Sequence, residues 1–371
     1  MFRWIRVAVA SASVVASVSS LAAGPSEDAA EFGTDFTRHL VPYSEILSGG
    51  PPKDGIPAID EPRFVSVVEA DVWLKPREPV VAVSFGPTAR AYPLQILMFH
   101  ELVNDRINDE PVTISFCPLC NTAIVFKGRL GGRDLTFGTT GRLRYSNLVM
   151  YDRQTETWWQ QATGEAIVGE LLGERLETAA SSIISWEAFR SAYPTGEVLS
   201  RETGHGRTYG RNPYVGYDDV DATPFLFRGR DLDGRLSPMA RVVTVDTDSE
   251  AVAFPYDILE RDRVVQDTVG GRPIVVFWQQ GSASALDAPL VADGRDVGMV
   301  QTFSRTVGDQ ELTFHAGPDG FSDLDTKSTW SFHGVALSGP LKGTALTPVV
   351  HINHFWFSWA AFRPETRIYG P

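Results

Sequence analysis

Cysteine is nearly absent: only Cys117 and Cys120 occur among 371 residues, too few for a disulfide framework. Lysine is scarce as well, with five among 33 basic residues, against 46 acidic ones and a formal net charge of −13. That balance argues against nucleic acid or an anionic membrane as the main partner. Beyond the N-terminus no apolar run is long enough to span a bilayer. G-x-S-x-G, Walker and dinucleotide-binding glycine patterns are missing, and so is C-x-x-C-H for haem attachment. No common nucleophile, phosphate or haem motif therefore assigns an activity.

The composition that remains, 43% hydrophobic and 21% charged, is that of a folded chain, and the length suits two domains better than one core. At the N-terminus Arg3 and Arg6 precede a mildly apolar run from Val7 to Val18, then small residues around Ala22 and Ala23. This reads as a signal peptide over 1–23; as a membrane anchor the run is too short and too diluted by serine and alanine. The mature chain is expected to be periplasmic or secreted, with no stable membrane insertion after cleavage.

Shifting the chain by 162 residues lays PREPVVAVSFGPTARAYPLQIL, from Pro76, over PMARVVTVDTDSEAVAFPYDIL, from Pro238. Pro93 meets Pro255, Asp105 meets Asp267 and Pro111 meets Pro273. Further on, DRQTETWW from Asp152 resembles DTKSTW from Asp325, and SWEAF from Ser185 resembles SWAAF from Ser358. So many matches in one order indicate an internal duplication. The expected layout is an N-terminal arm over 24–59, a first repeat domain over 60–200, a linker loop over 201–225 and a second, degenerate repeat domain over 226–371.

Within the first copy, VVAVSF (80–85), VTISF (112–116), TAIVF (122–126), NLVMYD and TWWQQ read as strands. Pro93 opens a short helix, PLQILMFHELVN, and SWEAFRSAYP is another. Strands outnumber helices, so the fold class expected is α+β: two homologous, mostly antiparallel-sheet domains with a few short helices.

CPLC, 117–120, falls between two of these strands as a tight turn. A redox pair of the thioredoxin kind would sit at a helix N-terminus, and NTAIVF after Cys120 is strand-like. A disulfide closing so short a loop would restrict the unfolded chain by only about 2 kcal/mol. Two thiolates on one hairpin supply half of a tetrahedral metal site, and the nearest further ligands are His100 and Glu101. In the second copy Cys117 and Cys120 become Gln279 and Ser282, while His100 and Glu101 become Asp262 and Arg263. The scaffold positions persist and the four residues vanish together, as members of one site would. Met98 and Met150 are further soft donors. His205, in the linker, and His351 and His354, before the last helix, are left open as contributors. So is a pocket-wall role for Trp158, Trp159, Gln160 and Gln161, with Trp330 in the second copy pointing to the core for one tryptophan.

YPLQILMFHELVND, ISFCPLCNTAIVF, LRYSNLVMYDRQTETWWQQATGEAIVG and LSRETGHGRTYGRNPYVGYD resemble the bacterial domain-of-unknown-function family 3179, from about 60 to 225. The resemblance implies no settled activity. Its pattern includes the His-Glu pair and the CPLC turn, at His100, Glu101, Cys117 and Cys120. Met98-Phe99 stands where that pattern has asparagine-tryptophan, which counts against Met98 as a ligand.

The function expected is that of a secreted metal-binding protein, holding copper or zinc through Cys117, Cys120, His100 and Glu101. Glu101 doubles as the candidate general base of a metalloenzyme. A thiol–disulfide redox protein and a non-catalytic two-repeat binding module are the alternatives.

Overall fold

A computed structural model describes residues 28–247, 249–317 and 320–370. The expected signal peptide lies outside the described residues. No described helix is long and apolar enough to cross a membrane.

The fold is mostly antiparallel sheet with a few short helices. Pro79–Phe85 pairs with Thr88–Pro93, flanked by Ser181–Ser185 on one side and Glu197–Leu199 on the other. A second sheet orders Thr178–Ala179, Thr122–Lys127, Glu110–Cys117 and Leu102–Ile107. A third holds Phe137–Arg144, Asn147–Asp152, Trp158–Gln160 and Glu165–Val168, with Ile46–Ser48 of the arm added at its edge. Phe32 and Phe36 of the arm pack edge-on against Trp158.

After residue 240 the same order returns. Arg241–Asp246 and Ala251–Pro255 form the first pair, flanked by Ile352–Phe355 and Arg367–Ile368. Val264–Val269, Arg272–Gln279 and Met299–Ser304 form the second sheet, and four strands between Phe314 and Ser338 form the third. Details recur too. Asn108-Asp109 and Gly270-Gly271 each make a two-residue hairpin with positive φ at both positions. Asp152 accepts the indole N–H of Trp159 at 2.9 Å and binds Thr155; Asp323 does the same with Trp330, also at 2.9 Å, and Thr326. By this network Asp323, two residues before the Asp325 suggested by the sequence, is the counterpart of Asp152.

The helix opened by Pro93 is shorter than its sequence suggests, ending at His100. Glu101 adopts φ 58°, and Leu102 begins a strand. Leu102 and Val103 are β-formers as much as helix-formers, and strand pairing with Ser115 and Ile114 decides between them. The halves are not separate bodies: Val80 and Trp186 share one core cluster with Phe277 and Met299.

Candidate functional site

Cys117 ends the strand Glu110–Cys117, and the 3-10 turn Pro118–Cys120 carries the chain round to Thr122–Lys127. Pro118 at the start of the turn presets φ without removing a needed donor. Asn121 leaves it at φ 50°, in the left-handed region that asparagine tolerates. Both cysteines are free, at 1% and 0% exposure. Their thiols meet one acceptor, the Ser146 carbonyl, at 3.8 Å from Cys117 and 3.4 Å from Cys120.

That carbonyl is aimed by the turn Tyr145-Ser146, with φ 50° and 67°, between Phe137–Arg144 and Asn147–Asp152. Such a turn normally carries Asn-Gly. Backbone strain of this kind concentrates at functional sites. A fully buried amide network fixes the turn to the cysteine hairpin. Asn147 bonds Gln160 at 2.6 Å and Gln161 at 2.8 Å, and Gln161 reaches Ser115 at 3.0 Å and the Thr122 carbonyl at 3.2 Å. Gln160 and Gln161 thus belong to the site's support, while Trp158 and Trp159 are core.

Glu101 caps the helix Leu94–His100, its N–H bonded to Leu97 and its carbonyl to Phe116 N. Its carboxyl is buried without a hydrogen bond or ion pair among the described residues, and burial pushes it up to about 8. Burial thus favours its uncharged form and brings its titration close to neutral pH. Burial first, then the neighbouring Cys120 and Glu101, push the Cys117 thiol well above its ordinary value.

His100 is turned to other partners. Nδ1 donates to the Pro57 carbonyl at 2.7 Å, which leaves Nε2 to accept from the Tyr209 hydroxyl at 2.6 Å. Burial, with smaller effects from the charges of His205 and Arg207, lowers it to about 4. His205 is exposed, its ring 5.1 Å from that of His100. Met98 and Met150 are buried core residues. His351 bonds Val349 O and Ser182, and His354 lies in the strand Ile352–Phe355 with Nδ1 2.8 Å from Thr122 Oγ1. Both stand where the halves meet. Among the described residues, no group of three or more His, Cys, Asp or Glu is arranged to hold a metal ion.

Three tyrosines of the linker cover the site. Tyr209 binds His100, and Tyr214 and Tyr217 pack, partly buried, against the core cluster that contains Cys117 and Cys120. The glycine- and tyrosine-rich sequence RTYGRNPYVGYD marks a wrapping loop, but nothing in it says what it wraps. The Ser146 carbonyl likewise has no sequence signature. A cleft of about 740 Å³ between the halves, with Phe126, Arg175, Arg272 and Trp359 in its walls, contains none of the four candidate residues.

The geometry defines a class: a mostly antiparallel-sheet protein with two free, buried cysteines on one turn. The sequence matches the family described as "Protein of unknown function (DUF3179)" over residues 53–366, and the chain belongs to that family. The match runs well past residue 225 and takes in the second half. No curated protein and no solved structure matches the chain.

Proposed function

We propose that this is a secreted, periplasmic metal-binding protein in which Cys117 and Cys120 hold one soft cation, Cu(I) in preference to zinc. The observation that carries the reading is the pair of free, buried thiols on one turn. Two thiolates suit a soft monovalent ion, whereas a structural zinc site takes four ligands. Burial pushes the Glu101 carboxyl up to about 8, which favours its uncharged form and limits negative charge near a buried pair of thiolates. His100 joins the ligands only by exchanging Tyr209 for the metal. The N-terminal sequence supports the location, and a bound metal would protect the thiols from oxidation there.

A thiol–disulfide exchange role is less well supported. The thiols are buried, Cys117 is pushed towards the protonated form, and a strand follows the turn in place of a helix. We further infer that the halves descend from one duplicated unit, 60–200 and 226–371, joined by 201–225. The recurring strand order and the paired Asp–Trp–Thr networks support it.

The test is metal analysis of protein purified from the periplasm. One equivalent of copper, lost in Cys117→Ser and in Cys120→Ser, is the expected result. Metal-free protein with a rapidly reducible disulfide would replace this reading with the redox one. Unchanged cellular activity in both cysteine variants would favour a binding module.

A further inference from the structure

The second half lacks counterparts of the four site residues, yet it holds the segment that covers them. Four backbone hydrogen bonds stitch the linker to the loop 286–291. Asn212 N donates to Pro289 O at 3.0 Å, Gly216 N to Asp287 O at 2.8 Å and Tyr217 N to Leu286 O at 3.2 Å. In the other direction Val291 N donates to Gly210 O at 3.0 Å.

Asp218 is the anchor. Its carboxylate, fully buried, takes Arg241 at 2.6 Å, Arg295 at 2.9 Å and Ser284 Oγ at 2.5 Å, all three from the second half. Arg295 also donates to the Asp218 carbonyl at 2.8 Å. Burial raises this carboxyl, but Arg241, Ser284 and Arg295 together outweigh it and hold it below the ordinary carboxylate range. A buried charge with this many donors fixes a loop at one point, and removing any donor leaves charge uncompensated.

The tyrosines lie just ahead of the anchor in sequence. Tyr217 is its immediate neighbour, Tyr214 is four residues before it, and Tyr209 nine. None of the wall they build comes from the strands that carry the cysteines.

We propose that the second half serves the dithiol site as a clamp, holding residues 209–218 as its outer wall through Asp218, and that access to Cys117 and Cys120 is set by release of that wall. This concerns the site proposed above but not its ligand. A solute enters by leakage past the tyrosines or when the segment lifts. A protein partner's thiol reaches the pair only after it lifts.

The experiment labels the reduced, metal-free full chain with a small aromatic disulfide and follows release of its chromophore. Metal-free protein is used so that failure of the copper reading leaves the outcome interpretable. In the wild type both cysteines react slowly. Asp218→Asn, which keeps shape and removes charge, is expected to speed labelling at least tenfold, and Tyr214→Ala to do the same with the anchor intact. Arg295→Ala provides a milder release should Asp218→Asn fail to fold, because Arg241 and Ser284 remain. Arg367→Ala, which removes pairings with Glu250 and Asp267 away from the loop, is expected to leave the rate unchanged. Unchanged labelling in folded Arg295→Ala and Tyr214→Ala overturns the proposal. Equal acceleration in Arg367→Ala does so too, since the effect would then be general loosening.

Discussion

Acid should destabilise this protein through His354, and the size of the effect follows from its surroundings. The ring is fully buried, its centroid 4.9 Å from that of Trp359 at a 36° tilt, and bonded through Nδ1 to Thr122 across the interface between the halves. Thr122 Oγ1 donates to the Cys120 carbonyl at 3.1 Å, so Nδ1–H must donate to Thr122 and Nε2 keeps the lone pair, without a partner. Burial lowers the group from 6.5 to about 3. Below pH 6.5 the unfolded chain takes up a proton that the folded chain refuses, so stability falls with pH until about 3. Above 6.5 both states are neutral and the group is silent. Between pH 7 and 5 the loss comes to about 2 kcal/mol. Urea unfolding of the wild type and His354→Gln at pH 5, 6 and 7 isolates it, because every other titrating group is common to both. The wild-type advantage should shrink, or its deficit grow, by about 2 kcal/mol on going from pH 7 to 5. Parallel pH profiles for the two proteins would refute the assignment of His354 as a buried neutral ring.

Glu101 should show the opposite sign: raised from 4.5 to about 8, it favours the folded state least at alkaline pH. In metal-free protein, Glu101→Gln should gain stability relative to wild type as pH rises from 5 to 8, measured by thermal melting. Trp330→Phe should destabilise by about 1–3 kcal/mol, since it strips the indole donor from buried Asp323; chemical denaturation reads this directly. Asn121→Gly should be near neutral and Asn121→Ala should cost about 1 kcal/mol, because the residue sits at positive φ; melting of both variants tests it.

Much of the architecture was legible because it rests on short-range rules. Alternating and β-branched runs such as VTISF and NLVMYD became strands, Ser185 capped its helix, and CPLC became the turn between two strands. The helix after Pro93 was read too long, because its end depends on pairing with a strand ten residues further on. The recurring scaffold prolines stand out at a fixed offset, whereas the gapped resemblance between DRQTETWW and DTKSTW leaves open which aspartate matches Asp152, since only hydrogen-bonded partners fix that register.

For the site, the sequence by itself singled out Cys117, Cys120, Glu101 and His100, because residues lost together against a persisting scaffold stand out in one chain. How they divide was decided by tertiary structure. The positive φ at Glu101 ends the helix between two adjacent residues, so that the imidazole binds Pro57 and Tyr209 while the carboxyl is buried without a hydrogen bond among the described residues. The Ser146 carbonyl, the tyrosine wall and the Asp218 clamp join residues 26 to 178 positions from Cys117 or Cys120, counting 146 minus 120 and 295 minus 117. Contacts over such separations arise from packing sheet on sheet within the first half and from packing the two halves together, which no local pattern of residues encodes.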